Sequence, residues 1–187
     1  MQRVEEAFKE LANRLTLILP VLIIVILDFM VDLVIEVLIP PTLLTRIGIS
    51  IINGIAFSFA ISMVFSGYMT TPSLYEEWRD TSSRLNCIIE LGIILGFFFF
   101  IFSYIPFGFL LNSLALAFLL VSFPFVYKSG IRGINQSLQW LTRAISEDAL
   151  SFIIIYLSAL LSFFPVIDIL LLPYGTILGY IVYREVI

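Results

Sequence analysis

Six long apolar runs, separated by short polar segments, form the main pattern of the chain. The runs lie at roughly 15–38, 47–68, 86–105, 107–127, 149–164 and 167–183. About 20 helical residues cross a hydrocarbon core roughly 30 Å thick, so most of these runs are long enough to span a membrane. The fifth and sixth runs are shorter, and we expect them to be tilted or to span incompletely. Because no run alternates as a barrel strand does, the pattern predicts an all-α integral membrane protein with six transmembrane helices.

Composition agrees with this interpretation and excludes several classes of protein. The 187 residues are 60% hydrophobic and only 13% charged, with a mean hydropathy of +1.09. A soluble domain of this length needs far more polar surface. The single cysteine, Cys87, cannot form an internal disulfide, and the absence of histidine excludes an imidazole-based metal site. The net charge of −4 and the lack of basic clusters exclude nucleic acid as a partner.

The positions of lysine and arginine predict the orientation. With six spans, nine of the ten basic residues fall on one side and only Arg46 falls on the other. Because basic residues concentrate on the cytoplasmic side, we expect a multi-pass protein of the cell membrane with both termini in the cytoplasm. The nine are Arg3, Lys9, Arg14, Arg79, Arg84, Lys128, Arg132, Arg143 and Arg184.

A weak internal repeat suggests three antiparallel hairpins, at 15–68, 86–127 and 149–187. The expected outer turns carry Pro41, Pro106 and Pro165, and the returning helices end at Tyr68, Tyr127 and Tyr183. The alternative is that proline favours turns and tyrosine favours interfaces in any membrane protein.

Two further segments have the periodicity of amphipathic helices on the cytoplasmic surface of the membrane. They are residues 1–14 and 128–148, and the polar segment 69–85 between the first two hairpins is expected to be a loop. The second amphipathic segment is a candidate docking surface for a membrane-protein partner. The candidate docking residues are Leu138, Trp140, Leu141 and Arg143.

The last third of the chain resembles a known group of membrane proteins. The run NQSLQWLTRAISEDAL and the ending LLLPYGTILGYIVYREV resemble a loose superfamily of polytopic proteins of unknown function, related to the membrane domain of glycerophosphodiester phosphodiesterases. The resemblance covers roughly 65–187, and it implies a helical membrane module without an established catalytic residue. The matching positions are Ser137, Leu141, Thr142, Arg143, Tyr183, Arg184 and Glu185.

Three acids interrupt the first apolar run, in VILDFMVDLVIEVLIPP. Asp28, Asp32 and Glu36 are four residues apart, so they form one stripe about 12 Å long on a helix. A carboxylate facing lipid near the bilayer centre costs about 2.5–3.5 kcal/mol, so the stripe must face protein, water or a cation. The functional interpretation is an outward-facing vestibule that binds a cation or a proton. The alternative is that the helix extends beyond the bilayer, with Asp28 paired to Arg46 or bonded to hydroxyls.

Other acids have simpler explanations. Glu90 is a second candidate for cation or proton binding, although it is close enough to the cytoplasmic interface to extend there or to pair with Arg84. Asp168 follows Pro165, and capping of the last helix explains it.

No enzyme signature is present, so we expect a non-enzymatic protein without a cofactor. One hypothesis is the transport of a small solute or cation through the acidic vestibule. The other is a membrane scaffold or accessory subunit that forms homo-oligomers or docks on a membrane protein. Rare intramembrane chemistry on paired carboxylates is a minor third alternative. Abundant isoleucine favours a prokaryotic source.

Overall fold

The computed structural model describes residues 2–70 and 73–186, and these are helical almost throughout, with no strand among them. Met1, Thr71, Pro72 and Ile187 lie outside the described residues. Short 3-10 turns precede α2 and α7. The helices are α1 (Gln2–Asn13), α2 (Ile18–Leu38), α3 (Leu43–Met69), α4 (Leu74–Ser83), α5 (Leu85–Phe102), α6 (Gly108–Ser129), α7 (Gly133–Glu147), α8 (Ala149–Leu161) and α9 (Pro165–Val186).

The all-helical membrane class predicted from the sequence is confirmed. Five helical segments of the described chain are long and apolar enough to cross a membrane. They are Leu15–Leu38, Leu43–Met69, Leu85–Phe102, Gly108–Glu147 and Val166–Glu185. The sixth expected span is α8, which is apolar but only 13 residues long. Both segments with amphipathic periodicity are helical, as α1 and α7.

The segment expected to be a loop, 69–85, contains the helix α4, so that prediction was wrong. Ser73 provides the reason, because its hydroxyl accepts a hydrogen bond from the backbone N–H of Glu76 at 3.2 Å and caps the first turn. The helix then buries Glu77 and Thr81. The segment is polar overall, so its sequence did not indicate the short amphipathic helix, which packs on α3.

The helix α9 forms the centre of the packed structure. It contacts α1, α2, α3, α6 and α8, and Leu172, Leu178 and Ile181 on it are fully buried. The helix α2 is the opposite case, because most of its apolar side chains are exposed. In a membrane protein, such a surface faces lipid. The acids of α2 therefore depend on a narrow strip of contacts with α3 and α9.

Three glycines allow α3 and α5 to touch through their backbones. A Cβ added to Gly54 would lie 2.3 Å from the Gly92 carbonyl oxygen, and one added to Gly96 would lie 2.5 Å from the Cα of Ile51. Gly92 and Gly96 form the small-x-x-x-small pattern that permits close approach of membrane helices. The packing of α3 on α5 therefore has no room for a side chain at these positions.

Each of the three tyrosines at the ends of α3, α6 and α9 is contacted by a cation at one end of the helix bundle. The Arg14 guanidinium donates to the carbonyl of Tyr68 at 2.9 Å, and Arg84 donates to the carbonyl of Tyr127 at 2.6 Å. Both guanidinium groups also lie over the ring of the same tyrosine, at 5.2 and 3.9 Å from the centroids. These contacts satisfy the last carbonyls of α3 and α6 and add cation–π attraction.

The third contact differs in detail. The Lys128 ammonium donates to the Tyr183 hydroxyl at 2.7 Å. Because Lys128 ends α6 and Tyr183 lies near the end of α9, this bond joins two helices of different predicted hairpins.

Ion pairs join the two ends of the chain. Arg3 pairs with Asp148 at 2.7 Å and also with Glu185, while Arg184 pairs with Glu6 at 2.8 Å. The start of α1, the start of α8 and the end of α9 therefore lie together. Burial disfavours the Asp148 carboxylate, but hydrogen bonds from Ser151 and Arg3 outweigh it and lower the pKa of Asp148.

We expect Gly96→Ala to destabilise the protein, because the added Cβ meets the backbone of Ile51 and α3 must move away. Overpacking of this kind costs about 1–3 kcal/mol. Gly48→Ala is the matched control, since nothing lies within 4 Å of a Cβ at that position of α3. Thermal unfolding in detergent should give a lower midpoint for Gly96→Ala and an unchanged or higher one for Gly48→Ala. Equal midpoints would contradict the backbone contact.

Candidate functional site

The acidic stripe of α2 becomes more buried from the C-terminal end of the helix toward its middle. Glu36 is exposed, whereas Asp32 and Asp28 are half-buried. The helix has no charged residue other than these acids. The two deeper carboxylates face the strip where α2 packs on α3 and α9.

An amide on α3 joins the two deeper acids. In the orientation that satisfies both ends of the Asn53 amide, its nitrogen lies 3.1 Å from Oδ1 of Asp28 and 3.3 Å from Oδ1 of Asp32. The same nitrogen lies 3.2 Å from the carbonyl oxygen of Ile49. Asn53 therefore donates to both carboxylates and fixes their separation. No sequence feature singled out Asn53, since an asparagine in an apolar run has no recognisable spacing to acids on another helix.

Asp168 on α9 completes the group. It is only 3% exposed, and it lines a cavity of about 20 Å³ together with Asp28. Its Oδ1 atom has no partner at hydrogen-bond geometry among the described residues, and neither has the buried hydroxyl of Ser162. This hydroxyl nevertheless lies close enough to the Asp168 carboxyl group to interact with it. A space of this size holds about one water molecule or a small ion.

The explanation of Asp168 as a helix cap was wrong. The helix α9 begins at Pro165, so Asp168 lies inside its first turn. Its backbone N–H donates to the carbonyl of Phe164 at 2.9 Å, as in a continuing helix. Its side chain lines the cavity beside Asp28 instead of capping the helix.

The expected basic partners of these acids are engaged elsewhere or stand apart. Arg46 is exposed and takes part in none of the ion pairs among the described residues, so it does not neutralise Asp28. Glu90 is exposed on α5, outside the group of acids, and Arg84 pairs with Asp80 rather than with Glu90. The structure thus places Asp28 beside Asp32, through Asn53, and beside Asp168, at the cavity. It leaves Glu36 at the exposed end of the stripe and Glu90 on another helix.

This arrangement offers a compact site for one positive charge. Within residues 2–70 and 73–186, no three Cys, Asp or Glu side chains form a group that could hold a metal ion. Two carboxylates beside one small cavity, with an amide donor on their flank, can instead share a proton or coordinate a singly charged cation.

The candidate docking residues of α7 point in different directions. Leu138 is 50% exposed, and Arg143 is exposed and pairs with Glu147 at 3.0 Å. Trp140 instead packs against Phe125 inside the structure, with ring centroids 5.3 Å apart. Leu141 also packs against the core. Two of the four residues are therefore exposed, and the other two are half-buried against the core.

Comparisons of the chain with protein-family models, with curated proteins and with solved structures gave no match. The likeness of the last third to a superfamily of polytopic proteins remains a prediction from short motifs.

A second buried acid lies away from this site, on α4. Glu77 is 1% exposed, and its Oε2 atom has no hydrogen-bond partner among the described residues. A Cβ added to Gly67 would meet the Glu77 carboxylate at 2.3 Å, so this carboxylate presses on the end of α3. Burial raises the pKa of Glu77 to about 7.

The raised pKa predicts how stability depends on pH. Below the ordinary pKa of 4.5, Glu77 is protonated in both folded and unfolded chains, so its contribution to stability is fully present. As the pH rises toward about 7, the unfolded chain releases the proton first, and the folded state loses stability.

We therefore expect Glu77→Gln to raise the melting temperature above pH 7 by about 3–6 °C and to flatten its decline between pH 5 and 8. Glu5→Gln, which removes an exposed acid of α1, is the control and should leave the pH profile unchanged. Differential scanning fluorimetry in detergent measures both variants. A decline in Glu77→Gln as steep as in the wild type would show that another group causes it.

Proposed function

We propose that this protein is a small non-enzymatic membrane transporter that binds a proton or a singly charged cation between α2, α3 and α9. The observation that carries the proposal is the burial of Asp168, whose Oδ1 atom lacks a partner in the cavity shared with Asp28. An ionised carboxylate in such a place is an uncompensated buried charge. A bound proton or cation removes that cost.

The graded exposure of the acids supports a route to this site. Glu36 is exposed at the outer end of α2, Asp32 and Asp28 are half-buried, and Asp168 is buried. A cation that arrives at the outer end meets successive carboxylates about 6 Å apart along the helix. In the proposal, these acids line the outward-facing vestibule.

The proposal includes six crossings with both termini on the cytoplasmic side. Arg3 contacts Asp148 before α8 and Glu185 near the end of α9, so the chain that leaves one side through α8 returns to it through α9. Thirteen residues of α8 span about 20 Å, which requires a local thinning of the bilayer or an incomplete crossing.

The scaffold hypothesis has weaker support. Trp140 and Leu141 are used inside the protein, and Leu138 is the one apolar docking candidate that stays exposed. Binding of a proton or cation is therefore the better supported of the two functions.

The test is thermal unfolding in detergent across pH and across lithium, sodium and potassium salts. It uses Glu77→Gln as the background, so that the buried acid of α4 does not contribute to the result. We expect protons or one of the cations to raise the melting temperature by about 3 °C or more, as ligand binding to the folded state does.

The shift should vanish when Asp28→Asn or Asp168→Asn is added to this background, and it should persist when Glu5→Gln is added. If the background protein shows no shift, or if both asparagine variants keep it, the proposed site is wrong. If the shift depends on the acids, flux of that ion into liposomes becomes the next measurement.

A further inference from the structure

A second, larger cavity meets the acidic site from the membrane side. It is a groove of about 570 Å³ between α2, α3 and α4. Its length runs from Trp78 and Tyr75 on α4 to Asp28 and Val31 in the middle of α2. A volume of this size lies within the range of pockets that hold drug-sized molecules.

The lining of the groove is apolar except at one end. Asp28 is the only charged residue among the described residues that line it. Leu27 and Val31, which form its outer edge, are exposed on the lipid-facing side of α2. The groove therefore opens toward the hydrocarbon rather than toward water, and a hydrated inorganic ion gains nothing by entering it.

Two exposed aromatic side chains stand at the cytoplasmic end of the groove. Trp78 is 57% exposed and packs on Phe59 with ring centroids 5.3 Å apart, and Tyr75 lies beside the same opening. Aromatic faces attract organic cations at the level of the membrane interface. The groove thus begins with aromatic rings and ends at a carboxylate, with apolar surface between them.

The two cavities share a wall. Ile24, Asp28 and Ala56 line both the groove and the small cavity that holds Asp168. A cation that binds in the groove therefore pairs with the Asp28 carboxylate. The same residue also lines the cavity beside Asp168. Binding from the membrane side and binding of a proton in the inner cavity compete for one group.

We infer that the groove binds a lipophilic cation, an organic molecule with an apolar body and a single positive charge, which enters from the bilayer and places its charge at Asp28. The inference rests on the proposed function and assigns the class of its substrate. Charge complementarity and the apolar lining select this occupant over a phospholipid, whose headgroup belongs at the interface and whose acyl chains would lie against the carboxylate.

The chain offers a built-in reporter for the test. It contains two tryptophans, and Trp140→Phe leaves Trp78, which lines the groove, as the only one. The indole N–H of Trp140 has no hydrogen-bond partner among the described residues, so phenylalanine loses no bond there. Tetraphenylphosphonium is titrated into this variant in detergent at pH 7, and tetraphenylborate serves as an anion of nearly the same shape.

We expect saturable quenching of Trp78 by tetraphenylphosphonium and none that saturates with tetraphenylborate. Asp28→Asn should weaken the binding roughly tenfold or more, and Asp28→Glu should restore part of it, because a charge pair in a low-dielectric site is strong. Glu5→Gln, remote from the groove, should bind as the parent does.

Three results would overturn the inference. They are the absence of saturable binding, equal binding of the anion, and equal binding by Asp28→Asn. Native mass spectrometry adds a fourth, a phospholipid retained equally by the parent and by Asp28→Asn and not displaced by tetraphenylphosphonium. If any of these occurs while the proton- or cation-dependent melting shift persists, the inner site stands and only the groove ligand is wrong.

Discussion

The backbone contact between α3 and α5 determines where the polar groups of this protein can meet. Gly54 presses against Gly92 and Gly96, which fixes the rotation of α3 about its own axis. Asn53 precedes Gly54 and therefore points about 100° away, toward α2. A single amide then reaches Asp28 and Asp32 together. Close packing on one side of a helix thus holds a hydrogen-bonded acid pair on another.

Asp28 and Asp32 on α2 have different surroundings from Asp168 on α9. Along α2 the carboxylates lie at the edge of the protein, where the structure gives them an amide donor and partial exposure. Asp168 sits on the central helix and lines the shared cavity, and its Oδ1 atom has no hydrogen-bond partner within the part of the chain that the structure describes. Well-packed membrane proteins rarely leave a carboxylate in that state. The cavity and the groove both border Asp28, which makes this residue the meeting point of the inner site and the lipid-facing surface.

The sequence predicted most of the helices because long apolar runs and 3.6-residue periodicity are strong local signals. It also placed Asp28 and Asp32 on one face of a helix, which needs only helical geometry. It did not predict Asn53 or Asp168 as their neighbours, because that depends on which helices adjoin and how each is rotated. The inward turn of Trp140 was missed for the same reason. The helix α4 was missed because its apolar face is short and its sequence is polar overall.

The contacts between cations and tyrosines also bear on how the chain assembles during synthesis. Arg14 lies shortly before α2 and contacts Tyr68 near the end of α3, and Arg84 lies directly before α5 and contacts Tyr127 near the end of α6. Each of these pairs can close as soon as its second helix leaves the ribosome and enters the bilayer. Among the described residues, no such contact joins the start of α8 to Tyr183, because Lys128 contacts Tyr183 and Arg3 contacts Asp148. The packing of α8 and α9 therefore depends on α6 and α1, which are made before them, so the same step in biogenesis also fixes the N-terminal helix α1 in place.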